Sequence, residues 1–247
     1  MKAPRTLRLR VLLDWLWLPV LAAQGIRLRR TVPRLPEAAG PTCGEYDGDA
    51  PPLRLLVLGE STVAGVGAPD HEHALAGNTA RALAQATGRA VQWRALGRNG
   101  ATAASTRTEL LDAATDVHAD VVLMALGVND TARLHGARRW RRDLRALIEA
   151  ARARCGPVPV MLAGVPPMGH FPSLPWPTRA ILGARARLLD TEARALTGTM
   201  AQVHYLPMPT ELDAHFSEYF CEDGFHPGPA GYAVWGQALA AGVSPLV

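Results

Sequence analysis

LRLLVLGESTVAGVG, residues 53–67, is the stretch that decides the fold. Its apolar run at 55–58 stops at Gly59, and Glu60 and Ser61 follow at once. An unbroken apolar run with β-branched content is typical of a strand buried on both faces, as strands of a parallel sheet are. Open α/β sheets bind ligands at the carboxyl ends of their strands. Ser61 is therefore predicted to lie at the mouth of a crevice.

The same stretch also resembles three other glycine-rich motifs, and it departs from each. A phosphate-binding loop ends in Gly-Lys-Ser/Thr, and this stretch contains no lysine. A dinucleotide-binding turn needs a third glycine beyond Gly65 and Gly67, where Ala68 and Pro69 follow instead. The serine elbow of α/β-hydrolases needs a glycine at the position that Val63 occupies. From this stretch alone, Ser61 could also be the cap of the next helix.

The rest of the chain alternates between apolar runs and amphipathic segments. Further strands are predicted near residues 91–96, 120–126, 158–163 and 203–206, and helices near 75–87, 137–154, 178–196 and 229–241. Five strands that alternate with helices predict a parallel sheet covered on both faces.

Polar residues and glycines follow the predicted strands at the points where they end. Ser61 follows the first, Gly97 and Gly100 the second, and Asn129 the third, while Asp223 and His226 precede the last helix. Because the carboxyl ends of parallel strands meet at one edge, these residues are expected to lie together.

The residue types fit acyl transfer. A serine hydroxyl needs a base to take its proton, which His226 can do while Asp223 orients the imidazole. Asn129 offers a side-chain amide, and Gly100 and Ser61 offer backbone N–H groups, as donors to a tetrahedral intermediate. A second pair, Asp213 and His215, lies earlier in the same loop and is an alternative.

Four blocks in this order resemble the SGNH (GDSL-type) family of serine esterases and lipases. They are Gly59-Glu60-Ser61, the NGAT segment at 99–102, the GVND segment at 127–130 and the DGFHP segment at 223–227. The resemblance implies a flavodoxin-like three-layer α/β/α sandwich with Ser61, Asp223 and His226 as the triad. It implies Ser61, Gly100 and Asn129 as the oxyanion hole, and neither a metal nor an organic cofactor. The first block departs from the family pattern, because Glu60 replaces the usual aspartate.

The N-terminal part of the chain differs in charge from the rest. Residues 1–34 carry eight Lys or Arg against one Asp, a charge of +7, which leaves −3 for the rest of a chain whose net charge is +4. A nucleic-acid-binding groove on the main domain is therefore not expected. The three cysteines, at 43, 155 and 221, show neither a disulfide nor a zinc spacing.

An apolar run at 11–26, flanked by basic residues, lies within this N-terminal part. It is shorter than the roughly 20 residues of a spanning helix, so we expect residues 1–52 to be a membrane-associating arm and linker, and 53–247 the hydrolase domain. The protein is then membrane-associated through residues 1–34. The alternatives are a signal peptide or a helix packed on its own domain or on a twin subunit. The protein would then be exported or cytoplasmic.

These residues predict a serine esterase that acts on small-molecule esters of short to medium acyl chain. The alternatives with the same triad are a carbohydrate or lipid deacetylase, a thioesterase or an acyltransferase, and, outside catalysis, a binding module on this scaffold. The proline- and aromatic-rich segment at 166–177 is either a wall of the substrate pocket or a rigid surface loop. The residues expected to contact substrate are Glu60, Val128, Pro167, Met168, Phe171 and Phe225.

Overall fold

The computed structural model describes residues 16–214 and 216–247, and only the backbone at 213, 214, 216 and 217. Its centre is one sheet of six strands in the order β1-β3-β2-β4-β5-β6. The strands are β1 Cys43–Tyr46, β2 Ala50–Gly59, β3 Arg89–Gly97, β4 Val121–Ala125, β5 Val160–Ala163 and β6 Val203–Leu206. β2 to β6 run parallel, and β1 pairs antiparallel with β3 at the edge.

The five predicted parallel strands are all present, but a sixth, antiparallel strand makes the sheet mixed. The additional strand, β1, lies within residues 1–52, which the sequence predicts to be an arm and linker. Its four residues alternate between exposed and half-buried, so it carries little of the apolar signal that marks a strand. Pairing with β3 along its whole length holds it in place.

In the described part of the chain, eight α-helices lie around the sheet. They are α1 Leu18–Thr31, α2 Leu75–Thr87, α3 Ala103–Ser105 (which continues as a π-helix, Thr106–Leu111), α4 Val128–Ala132, α5 Ala137–Cys155, α6 Thr178–Thr197, α7 Thr210–Ala214 and α8 Pro229–Val243. α5 and α6 cover one face of the sheet, and α2 and α8 cover the other. This arrangement confirms the predicted three-layer α/β/α class.

The apolar run of β2 explains how one strand serves both layers. Leu56 and Leu58 pack into the core under α5 and α6, whereas Leu55 and Val57 pack into the core under α2 and α8. Successive side chains of a strand point to opposite faces, so a strand covered on both sides needs apolar residues at every position. β2 lies between β3 and β4 and ends level with both of them.

The long helices begin and end close to where the sequence predicts them. α2 ends at Thr87, and Gly88 follows in the left-handed conformation with φ of 67°, which suits a glycine after a helix. α5 turns its apolar side, including Trp140 and Leu144, onto the sheet and its arginines outward. That amphipathic pattern made the helix predictable.

α1 lies against the domain rather than apart from it. The Gln24 side chain donates to the backbone oxygen of Trp176 (2.9 Å) and accepts from the Thr178 hydroxyl (2.5 Å). Leu28 packs against the core on the α5 and α6 side. Within residues 16–214 and 216–247, no helix has the length and apolarity to cross a membrane. The first part of the apolar run, up to residue 15, lies outside the described residues.

Candidate active site

Ser61 lies in the turn that follows β2. The end of β2 packs so closely on β4 that a Cβ on Gly59 would lie 2.2 Å from the Ala125 oxygen, so only glycine fits there. Glu60 donates its backbone N–H to the same oxygen, which fixes the turn. Among the described residues, no hydrogen bond engages the Ser61 hydroxyl or its backbone N–H. Both groups of Ser61 are therefore available to a ligand.

Asp223 and His226 form a tight pair in the loop before α8. His226 Nδ1 lies 2.6 Å from Asp223 Oδ2, and Oδ1 accepts the backbone N–H groups of Phe225 and His226, each at 2.9 Å. Gly224 takes a φ of +57°, which lets the loop turn within three residues. The spacing of three that the sequence shows thus places carboxylate and imidazole in direct contact.

The environment of Asp223 favours its ionised form. Burial by itself would raise the pKa of this carboxyl, but the hydrogen bonds from the His226 side chain and from two backbone N–H groups outweigh it and lower the pKa below its usual value. An ionised carboxylate on Nδ1 holds the ring with Nε2 free to accept a proton.

Two contacts fix this loop relative to the rest of the site. Gly224 accepts hydrogen bonds from the backbone N–H and the hydroxyl of Ser173, at 3.1 and 2.9 Å. The hydroxyl of the buried Tyr232, on α8, donates to the Val66 oxygen at 2.7 Å. The second contact joins the helix after His226 to the loop after Ser61.

Ser61 and His226 line one cleft, which we call the apolar cleft, of about 500 Å³ including open solvent. No hydrogen bond joins the two side chains in the described part of the chain; serine–histidine contacts are often long before substrate binds. The walls are apolar or aromatic apart from Ser61, Thr62 and His226. They are formed by Val128, Pro166, Phe171, Met208, Leu212, Tyr219, Phe220, Phe225, Pro227, Gly231 and Trp235.

The Glu60 side chain fixes the start of α4, which follows β4. Its carboxylate accepts the backbone N–H of Val128 at 2.9 Å, and both the backbone N–H (2.9 Å) and the side-chain amide (2.6 Å) of Asn129. Burial is the largest influence on this carboxyl and raises its pKa to about 7, although the three donors oppose the rise. The residue that departs from the family pattern therefore caps α4 and orients the Asn129 amide.

Asn129 and Gly100 each have an N–H hydrogen without a partner among the described residues. One hydrogen of the Asn129 amide is directed to Glu60, which leaves the second for a ligand. The N–H of Gly100 has no partner among the described residues, and its φ of +80° suits a glycine. A Cβ on Gly97 would lie 2.3 Å from the backbone nitrogen of Ala64, so the loop that carries Gly100 leaves the sheet beside the Ser61 turn.

Asp130 acts as a buried brace. Its two carboxylate oxygens contact His135 Nδ1 at 2.7 Å and the backbone N–H of Ala103 at 3.0 Å. It thereby ties α4 to the start of α3, behind the residues that face the cleft.

Of the six residues expected to contact substrate, three line the apolar cleft and three do not. Val128, Phe171 and Phe225 line the apolar cleft, and the rings of Phe171 and Phe225 pack edge to face at 5.0 Å. Pro167 does not line the apolar cleft, where its neighbour Pro166 stands. Met168 is fully buried in the core, and Glu60 lies behind the cleft. Asp213 and His215 lie outside the described side chains.

Several cleft residues escaped the sequence analysis. Trp235 belongs to α8, and Met208 and Leu212 lie beyond β6, so all three come from segments after the predicted sheet. Their apolar character resembles that of core residues, and only the fold shows that they surround Ser61. Among the described side chains, no group of three His, Cys, Asp or Glu is placed to hold a metal ion.

Comparison with known proteins agrees with this architecture. The sequence model of the GDSL-like Lipase/Acylhydrolase family matches residues 57–234, most of the chain. A GDSL-like esterase of Mycobacterium tuberculosis is 26% identical over 234 residues, which cover 87% of this chain and 73% of that protein.

Solved structures show the same fold at lower identity. The lipase/acylhydrolase from Enterococcus faecalis superposes with a TM-score of 0.57 at 18% identity, over 78% of this chain and 96% of that one. A member of the lipolytic G-D-S-L family from Veillonella parvula gives 0.60 at 14% identity, over 80% and 100%. The structure called TesA gives 0.61 at 21%, over 78% and 99%. The chain belongs to the GDSL-like (SGNH) lipase and acylhydrolase family of ester hydrolases.

Proposed function

We propose that the protein is a serine esterase in which Ser61, His226 and Asp223 form the triad. The observation that supports this most directly is the 2.6 Å contact between Asp223 and His226 at a cleft that also contains Ser61. A carboxylate–imidazole pair beside a free serine hydroxyl is the arrangement that activates serine as a nucleophile.

The reaction then has two halves. His226 Nε2 takes the hydroxyl proton as Ser61 Oγ attacks the ester carbonyl, and the tetrahedral intermediate collapses when His226 gives that proton to the leaving alcohol. The acyl group stays on Ser61 as an ester. Water attacks this acyl-enzyme, His226 takes the water's proton, and its return to Ser61 releases the carboxylic acid.

The developing oxyanion needs donors that are in place before the reaction. We assign this role to the N–H groups of Ser61 and Gly100 and to the amide hydrogen of Asn129 that Glu60 does not use. Because Glu60 also accepts the Asn129 backbone N–H, both ends of that residue are anchored to one carboxylate. A preorganised amide of this kind stabilises charge without reorganising during the reaction.

The apolar cleft is the proposed site for the acyl chain, which we take to be short to medium. Its aromatic and aliphatic walls, among them Phe171 and Trp235, exclude water from such a chain.

Hydrolysis of a substrate panel tests the function. The panel contains p-nitrophenyl acetate, butanoate and octanoate, an acyl-CoA, and acetylated xylan. We expect the highest kcat/KM on the short and medium p-nitrophenyl esters. Preference for the xylan or for acyl-CoA would instead indicate a deacetylase or a thioesterase, and transfer of the acyl group to an added alcohol would indicate an acyltransferase. A folded protein that turns over nothing and does not react with a fluorophosphonate would be a binding module.

Replacing Asn129 with alanine should lower kcat by roughly 10²- to 10³-fold, because one oxyanion donor is lost. KM for p-nitrophenyl butanoate should change little, since the donor acts mainly in the transition state. Thermal unfolding serves as the control, because the change also removes one hydrogen bond to buried Glu60. A loss in kcat below about threefold in a folded variant would make Asn129 a turn residue only.

We also propose that the start of α1 contacts a membrane surface. Leu16, Trp17 and Trp176 are 79%, 40% and 68% exposed, and the two indole rings pack edge to face at 5.8 Å. Tryptophans favour the membrane–water interface. The double change Trp17→Ala and Trp176→Ala should reduce co-sedimentation with anionic phospholipid vesicles severalfold, whereas wild-type protein that stays in the supernatant would exclude the proposal.

A further inference from the structure

A second cleft opens on the other side of His226. We call it the arginine cleft. It is lined by Asp223, Phe225 and His226 from the catalytic loop and by Leu28, Arg29 and Arg34 from the N-terminal part, with neighbouring residues completing the walls. It is a groove open to solvent. The two clefts share His226 and Phe225, so a ligand at His226 can extend into both.

The N-terminal wall of this cleft is fixed to the domain at both of its ends. On one side, Gln24 is bonded to Trp176 and Thr178, as described above. On the other, the Glu37 carboxylate accepts the backbone N–H of Asn99 at 2.7 Å. Residues 28–35, which lie between these anchors, are therefore held beside the catalytic loop.

The two clefts differ in charge. The apolar cleft contains no Lys, Arg, Asp or Glu. The arginine cleft contains the exposed side chains of Arg29 and Arg34, and neither guanidinium has a hydrogen bond or an ion pair within the described residues. The carboxylate in the same cleft, Asp223, is already occupied by His226 and by two backbone N–H groups. Two guanidinium groups are thus available to a negatively charged ligand.

An ester at Ser61 must place its acyl part and its alcohol part on different sides of the nucleophile. We infer that the arginine cleft binds the alcohol part and selects alcohols that carry an anionic group, which Arg29 and Arg34 contact. The inference rests on the proposed function and adds a substrate class to it. Guanidinium groups suit carboxylate, sulfonate and phosphate oxygens equally, so the shared feature is the negative charge of the alcohol.

The test compares two butanoate esters that differ only in the charge of the alcohol. One is 2-nitro-4-sulfophenyl butanoate, and the other is its uncharged N,N-dimethylsulfonamide. The measured quantity is the kcat/KM of the sulfonate ester divided by that of the uncharged ester, at low salt. We expect this ratio to fall about tenfold in the double variant Arg29→Gln, Arg34→Gln, as befits the loss of charge-assisted contacts at a partly exposed site.

The matched control is the double variant Arg27→Gln, Arg30→Gln. It removes the same amount of charge from the same N-terminal segment, at exposed positions of α1 that do not line either cleft. Its ratio should stay within twofold of wild type. An unchanged ratio in the Arg29 and Arg34 variant, or an equal fall in both variants, would overturn the inference while hydrolysis of the uncharged ester leaves the proposed function intact. Failure to hydrolyse either ester would overturn both.

Discussion

Replacing Ser61 with alanine should lower kcat for p-nitrophenyl butanoate by roughly 10⁶-fold, because the proposed nucleophile is lost. Alanine fits the turn, since the serine hydroxyl has no hydrogen bond to lose among the described residues. The thermal unfolding midpoint should therefore remain within a few degrees of wild type. Residual hydrolysis, from binding and the oxyanion donors alone, should not depend on His226.

A fluorophosphonate probe gives an independent measurement of the same residue. It should label wild type and the control variant Ser244→Ala, whose serine lies just after α8, and it should not label Ser61→Ala. A folded Ser61→Ala variant that keeps a tenth of the activity, or that still reacts with the probe, would remove the proposed mechanism.

Replacing Asp223 with asparagine should lower kcat by roughly 10⁴-fold. The carboxylate accepts the Nδ1 hydrogen of His226 at 2.6 Å and two backbone N–H groups through its other oxygen. An amide keeps the shape, but the two backbone N–H groups need its oxygen as their acceptor, so its NH2 donor is turned toward Nδ1. Nδ1 must then accept, and the ring loses the tautomer that leaves Nε2 basic. Since the pKa of Asp223 lies below its usual value, the wild-type carboxylate is ionised throughout the neutral range, and the deficit should persist from pH 6 to 8.

The chain provides a matched control for this substitution. Asp70 and His73 have the same spacing and the same contact, with Nδ1 2.7 Å from a carboxylate oxygen, but they are exposed and line neither cleft. Asp70→Asn should keep nearly full activity. Activity of Asp223→Asn within tenfold of wild type, or an equal loss in both variants, would contradict the assigned role.

Much of the fold follows from local pattern. β2 and β4 are short apolar runs that lie between two layers, and α2, α5 and α6 are amphipathic or capped where the sequence indicates. The convergence of Ser61, Asn129 and the loop with His226 follows from topology, because parallel strands bring their carboxyl ends to one edge. The strands and helices themselves depend on the residue types in each segment, and the shared edge follows once the strands are parallel.

The features that escaped prediction depend on contacts between distant segments. The role of Glu60 exists only because the end of β2 lies beside the start of α4, 68 residues further along the chain. α1 could be placed only through its side-chain contacts with Trp176 and Thr178. A helix with one apolar stripe is equally compatible with a membrane and with a domain surface, so its pattern alone does not give its neighbour.

β1 has a consequence for where the chain can be cut. A fragment that starts at residue 53, where the hydrolase pattern begins, lacks β1 and exposes the backbone N–H and C=O groups of β3 that β1 now occupies. Unpaired edge strands recruit strands from other molecules, so such a fragment carries a route to self-association. A fragment that starts between residues 36 and 42 loses α1 and the arginines but keeps the edge closed. The strand that closes the sheet edge and the wall that gives the arginine cleft its arginines are thus separable parts of the N-terminal segment.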